Sequence, residues 1–143
     1  MTGQEMGMLV ASILGWSVSG LLALFVARIA YTVITPFDVK KELLEDRNMA
    51  VGISQGMFMI AAAIVLHGVI DGERMAVPWW YEFLFMGGLY LAGLGLLGIG
   101  RLVLRLLAGF NLDEEIHEND NPAVGIIEGC SYVGFAIIIH SAL

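Results

Sequence analysis

The chain has 143 residues, of which 58% are hydrophobic and 15% are charged, and its mean hydropathy is +0.81. An ordinary soluble domain is about 45–50% apolar, so this composition excludes the soluble globular class and favours a membrane protein. The net charge of −7 argues against nucleic acid as a partner, because phosphate binding needs a basic surface.

Four apolar stretches predict transmembrane helices, since a helix needs about 20 apolar residues to cross the hydrocarbon core. Each must be helical, because unpaired backbone groups in lipid cost several kcal/mol each. The fold class is therefore an all-α membrane protein. The predicted spans are 6–34, 49–70, 81–107 and 122–143.

The basic residues predict the orientation of these spans. Six of the seven lie on the side of the membrane where span 1 connects to span 2 and where span 3 connects to span 4. Only Arg74 lies in the loop 71–80. The positive-inside rule then predicts that 35–48 and 109–121 are cytoplasmic. Both termini and the loop 71–80 are expected outside, where the aromatic residues 79–81 form an interfacial belt.

The two halves of the chain align without a gap when one is displaced by 73 residues. Charged and polar residues coincide, which chance similarity between apolar helices does not produce, so we infer a duplication. Each copy has two spans, and the copies are therefore predicted to be parallel tandem repeats, over 1–70 and 81–143. Matched pairs include Arg28 with Arg101, Glu42 with Glu115, Glu45 with Glu118, Asn48 with Asn121, and His67 with His140.

A common motif, Asn-x-Ala-Val-Gly-Ile-x-x-Gly, opens the second and fourth spans. Its asparagine is a favoured helix N-cap, and a ligand-binding role is the alternative. Its glycines form GxxxG, which allows helices in lipid to approach closely, so we expect a tight bundle and a homo-oligomer. The asparagines are Asn48 and Asn121, and the glycines are Gly52, Gly56, Gly125 and Gly129.

The two cytoplasmic linkers are predicted to be short interfacial helices. The first is expected to have Thr35 as its N-cap and Pro36 at its first position. Apolar residues such as Phe37, Leu112 and Ile116 are expected on the membrane face. The acidic charges of 109–121 indicate a solvated face or, alternatively, a surface for a cation or a partner protein.

Glu128 is the one formal charge within the fourth span. It lies six residues beyond Pro122, about 9 Å into the helix, and the matched residue in the first copy is Gln55. Intramembrane ionisable groups are expensive and mark functional sites by default. We therefore treat Gln55 and Glu128 as a candidate intramembrane polar site, with a structural interhelical hydrogen bond as the alternative.

His67 and His140 lie about 27 Å along their helices, at the predicted outer interface. The simplest interpretation is an interfacial polar cap. The alternatives are a metal or haem site formed by the pair, or a sensor of external pH.

Recognisable catalytic motifs are absent from the sequence, including nucleotide-binding loops and zincin spacings. The single cysteine, Cys130, lies in an apolar run and is interpreted as a small hydrophobic residue. We expect a protein that is not an enzyme and has no cofactor.

The two copies of Pro/Gly-Phe-Asp/Asn, each followed by an acidic linker and the asparagine–glycine motif, resemble the YjfL-like family of small bacterial inner-membrane proteins, a domain of unknown function. The resemblance covers nearly the whole chain. It implies a bacterial inner-membrane location and an association with envelope or stress-response systems, and it supplies no catalytic residues. Because Met49 replaces Pro122 and Gln55 replaces Glu128, a site common to the copies would work in only one.

Three functions follow as hypotheses. The first is a non-enzymatic oligomeric membrane component, a scaffold or subunit that binds a cytoplasmic protein through 35–48 and 109–121. The second is a small ion channel or transporter that uses Glu128 and Gln55. The third is metal or haem binding by His67 and His140.

Overall fold

The computed structural model describes residues 2–72 and 77–143, and these two stretches form six helices. Arg74, the basic residue predicted on the outer side, lies outside the described residues. The helices are α1 (Gly3–Ile34), α2 (Val39–Leu44), α3 (Met49–Asp71), α4 (Trp79–Leu107), α5 (Leu112–His117) and α6 (Pro122–Ala142).

Four of these helices, α1, α3, α4 and α6, are long and apolar enough to cross a membrane. Their most apolar windows have mean hydropathies from 1.7 to 2.1. The prediction of an all-helical fold with four helices long and apolar enough to cross a membrane is therefore confirmed. Helix α4 begins two residues before the predicted boundary, at Trp79, directly after Pro78.

Helices α3 and α6 form the most extensive helix pair, and α1 and α4 pack around them. The pair runs in one direction: the start of α6 at Gly125 lies against the Ala50 backbone, and His140 near its end lies against Gly68. The aromatic ring of Phe58 fills the centre, 5.4 Å from the Tyr31 ring and 5.0 Å from the Tyr132 ring.

The first half of α1 is not covered by the rest of the described chain. Every residue from 2 to 18 is exposed, whereas Ala27 and Tyr31 in the second half are fully buried. A helix that is apolar on all sides is suited to a lipid environment. The described part of the chain thus leaves the first half of α1 to lipid or to another molecule.

The two short helices, α2 and α5, lie together at the end of the bundle where α3 and α6 begin. Helix α2 starts at Val39, and the Asp38 carboxylate is its N-cap, accepting from the backbone amides of Lys40 and Lys41. The prediction that Thr35 caps this helix is wrong. The Thr35 hydroxyl donates to the Tyr31 carbonyl at 2.9 Å and closes α1 instead.

The linkers also bury apolar residues within the protein. Leu112 and Ile116 are fully buried, and the Phe37 ring stacks on His117 with the ring centroids 5.2 Å apart. The expectation that these residues face the membrane is therefore wrong, because they join the core of the protein. We call residues 35–48 and 109–121 together the linker cap.

Candidate functional site

A buried ion pair links α4 and α6. The Nε of Arg101 lies 2.8 Å from Oε1 of Glu128, and the side chains are 5% and 0% exposed. Removing a charge from water costs several kcal/mol unless the charge is paired and hydrogen-bonded. The two charges therefore depend on each other for burial.

The Arg101 guanidinium extends this pair towards the linker cap. Its NH2 nitrogen donates to Oδ1 of Asp113 at 2.6 Å, and its NH1 nitrogen donates to the Ile34 carbonyl at 3.3 Å. The other carboxylate oxygen of Asp113 lies 3.2 Å from Arg105, whose side chain is half exposed. The chain of charges thus reaches from the bundle interior to the surface at the linker end.

On its other side, Glu128 is joined to two hydroxyl groups. Ser54 on α3 donates to the Glu128 carboxylate, and the Tyr31 hydroxyl on α1 donates to Ser54 Oγ at 2.9 Å. Both residues are fully buried. We call Arg105, Asp113, Arg101, Glu128, Ser54 and Tyr31 the charge network; it connects five of the six helices of the described chain.

Glycine residues on α6 bring α3 close enough for this network to form. A Cβ atom at Gly125 would lie 2.6 Å from the Ala50 carbonyl oxygen, and one at Gly129 would lie 2.7 Å from the Met57 Cβ. Such distances are too short for any side chain. The GxxxG pair of α6 therefore sets the spacing between α3 and α6 near Glu128.

The glycines of the GxxxG motif in α3 have more space. A Cβ at Gly52 would lie 3.6 Å from the Leu43 side chain, an ordinary contact, and a Cβ at Gly56 would have no heavy atom within 4 Å. Gly56 is exposed. Within one chain, the two GxxxG motifs thus have different surroundings.

Gln55, the other residue of the predicted polar site, is half-buried and makes no hydrogen bond with Glu128. The carboxylate meets the neighbouring residue, Ser54, instead. Successive helix positions differ by about 100° around the axis, so Ser54 and Gln55 point in different directions. The predicted pair is therefore replaced by Glu128 with Ser54 and Arg101.

The sequence predicted Arg101 only as a marker of membrane orientation. Its ion pair with Glu128 and the contacts of Asp113 and Ser54 in the charge network were not predicted. One signal was available. Arg101 lies six residues before the end of α4 at Leu107, and Glu128 lies six residues after the start of α6 at Pro122. Opposite charges at the same depth on two antiparallel neighbours are a reason to expect an ion pair.

The asparagines of the two motifs are both helix N-caps. The Asn48 side-chain oxygen accepts from the Val51 amide at 2.8 Å, and the Asn121 oxygen accepts from the Ala123 amide at 3.2 Å. Each also donates to a glutamate, Glu42 at 3.0 Å and Glu115 at 2.8 Å. These two glutamates hold the capping asparagines in place.

The linker cap is also joined across the two halves. Asn48 donates to the Ile116 carbonyl at 2.9 Å, and Asp120 accepts from the Ala50 amide at 2.9 Å. His117 lies 2.9 Å from the Glu42 carboxylate. The start of α3 is thus held by residues of the second linker.

His67 and His140 meet at the end of the bundle opposite the linker cap. Nδ1 of His67 lies 3.0 Å from Nε2 of His140, and the rings are stacked with their centroids 5.2 Å apart. In residues 2–72 and 77–143, no cluster of three or more histidine, cysteine or acidic side chains is arranged to hold a metal ion. A metal at this pair would need other ligands.

These features define a helical membrane protein with a charge network inside the bundle and a folded linker cap at one end. The chain belongs to the family described as Domain of Unknown Function (DUF350), whose model matches residues 5–143. The expectation of a family of unknown function is thereby confirmed. Neither a curated protein nor a solved structure matches the chain.

Proposed function

We propose that this chain is a non-enzymatic, homo-oligomeric component of a bacterial inner-membrane assembly, and that its linker cap binds a cytoplasmic protein. The observation that carries this proposal is the construction of the cap. Its two linkers are fixed to each other by Asn48 and Ile116 and fixed to α4 by Asp113 and Arg101. A rigid surface attached to membrane helices is suited to binding a partner.

The charges of the cap support a polar partner. Six of its exposed side chains are acidic and three are basic, whereas the apolar Leu112 and Ile116 are buried. The basic residues near this end support a cytoplasmic position by the positive-inside rule. The exposed acidic residues of the cap are Asp38, Glu45, Asp46, Glu114, Glu118 and Asp120.

The proposed duplication has support in local structure. Helices α2 and α5 each have six residues, and α1 and α4 end at Ile34 and Leu107, which are 73 positions apart. Arg47 and Asp120, also matched, both adopt positive φ angles, of 54° and 44°. A single two-helix unit used twice in one orientation accounts for this recurrence.

Exposed small residues support the proposed homo-oligomer. Helix α1 has small residues at every fourth position of its uncovered half, namely Gly3, Gly7, Ala11 and Gly15. Helices in lipid associate through such faces because their backbones approach closely there. A second copy of the chain is therefore a suitable neighbour for α1.

Partner binding is tested by site-specific photo-crosslinking in the native membrane. A crosslinking amino acid at Glu118 should capture one defined cytoplasmic protein, and Glu114→Gln should weaken that capture, because it removes an exposed charge of the cap. The matched control is Glu82→Gln, a carboxylate near the other end of the bundle. Capture that is equal in both variants would contradict the proposal.

Oligomer formation is tested by native mass spectrometry in detergent. Ala11→Leu and Gly15→Leu should reduce the subunit number, because larger side chains separate the helix backbones. Val10→Leu and Ile13→Leu, which are exposed on other faces of α1, should leave it unchanged. A monomeric native protein would refute this part of the proposal.

A second candidate function is ion or proton transport, favoured by the charge network. The network extends from half-exposed Arg105 to buried Glu128, and a groove of about 300 Å³ between α4 and α6 also reaches Glu128. Purified protein in liposomes should then carry ion or proton flux, and Glu128→Gln should change it, whereas Gln55→Leu should not. An unchanged flux would remove Glu128 from any transport pathway.

A further inference from the structure

Within residues 2–72 and 77–143, the histidine pair at the far ends of α3 and α6 lies outside both the linker cap and the charge network. We propose that His67 and His140 bind a divalent transition-metal ion at the outer ends of α3 and α6. The two ring nitrogens, Nδ1 of His67 and Nε2 of His140, lie 3.0 Å apart. Each comes from one of the two central helices, so the pair is carried by the best-packed part of the protein.

The neighbouring backbone is built for this approach. Gly68 follows His67, and a Cβ at Gly68 would lie 3.0 Å from the Cα of His140. Any larger residue at position 68 would separate the helices and move the rings apart. Sites carried on rigid helices hold their ligands more reproducibly than sites on loops.

The separation of the nitrogens fits two ligands of one ion. With metal–nitrogen bonds of about 2.0–2.1 Å, two ligands at a right angle are about 2.8–3.0 Å apart, and at the tetrahedral angle about 3.3–3.4 Å apart. In the structure one ring donates a hydrogen bond to the other across 3.0 Å, and this separation is close to the right-angle value. A haem iron bound between the rings would separate the nitrogens by about 4 Å, twice the bond length, so the geometry favours a metal ion over haem.

The donor type indicates the class of ion. Neutral imidazoles suit copper, nickel, zinc and iron, and tetragonal geometry is characteristic of Cu²⁺ and Ni²⁺. Cu²⁺ also forms the strongest complexes in the divalent series. His67 is exposed and His140 is half-buried, so water completes the coordination from the open side.

The test uses full-length protein without a polyhistidine tag, titrated in detergent with Cu²⁺ alone and followed by calorimetry. One Cu²⁺ per chain should bind, and His67→Ala or His140→Ala should weaken binding by at least about tenfold, which corresponds to 1.4 kcal/mol. The control is His117→Ala, which removes the third histidine of the chain, located in the linker cap.

Electron paramagnetic resonance of the Cu²⁺ complex gives a second readout. Two coordinated nitrogens should be seen in the native protein and one in His67→Asn or His140→Asn, variants that retain a polar side chain and whose folding is checked by gel filtration. Binding that survives in both variants, or an equal loss in His117→Ala, would overturn the site. A native spectrum without nitrogen coupling would show that the imidazoles pair only with each other, and it would overturn the proposal as well.

Discussion

The two halves of the chain place the same residue type in opposite surroundings. Arg28 and Arg101 occupy matched positions, yet Arg28 is exposed on α1 whereas Arg101 is 5% exposed and paired with Glu128. Where the second half has Glu128, the first half has half-buried Gln55. Of these two arginines, the buried one is in the half that also contains the carboxylate partner, Glu128. Burying an arginine without such a partner would cost several kcal/mol of stability.

The largest expected effect comes from breaking the ion pair. Glu128→Leu removes the partner of the Arg101 Nε and leaves Asp113 as the remaining charged contact of this buried side chain. This should reduce the free energy of unfolding by about 3 kcal/mol, the lower end of the range for a broken buried ion pair. Denaturant unfolding in detergent measures the loss. Gln55→Leu at the matched position should cost less than about 1 kcal/mol, because Gln55 is half-buried and holds no charge.

A double variant sharpens this comparison. Arg101→Leu together with Glu128→Leu should recover much of the stability lost in either single variant, since an apolar pair replaces two charges that need each other. If the stability losses of the two single variants simply add in the double variant, the two side chains do not interact. The ion pair would then not explain why Arg101 is buried and Arg28 is exposed.

A smaller effect is expected at the matched glycines. Gly125→Ala forces a methyl group against the Ala50 carbonyl and should cost about 1–3 kcal/mol. Gly52→Ala has room for the methyl group, so it should be neutral or stabilising by up to about 1 kcal/mol through helix propensity. Thermal unfolding of the two variants, side by side, decides whether the second motif alone sets the spacing of α3 and α6.

The smallest contrast concerns the N-caps. Asn121→Ala removes a cap and should cost about 1 kcal/mol. Asn48→Ala should cost about 1 kcal/mol more, because Asn48 also donates to the Ile116 carbonyl, which would lose a buried partner. Equal losses in chemical denaturation would show that the bond between the two linkers adds no stability.

The long helices and their starting points could be predicted from the sequence, because lipid demands apolar length and helix ends demand caps. Asn48 and Asn121 were predicted as N-caps because asparagine is favoured at that position. The surroundings of the linkers could not be predicted, since Leu112 and Ile116 form an amphipathic pattern whether lipid or protein covers them. The pattern alone does not identify the covering surface.

The charge network was missed for a related reason. An arginine near a helix end, such as Arg101, serves equally well as an orientation signal and as half of an ion pair. Asp113 belongs to an acidic run in which Glu114 is exposed, and the run does not reveal which carboxylate is buried. Only the contacts of Asp113 with Arg101 and Arg105 on α4 distinguish them.

The central helices α3 and α6 begin 73 residues apart, at Met49 and Pro122. A ribosome adding about 5–20 residues per second emits α6 roughly 4 to 15 s after α3. Throughout that interval the newly inserted first hairpin holds Ser54 without its carboxylate partner. During synthesis the first two long helices therefore exist for several seconds without the helix that completes their core.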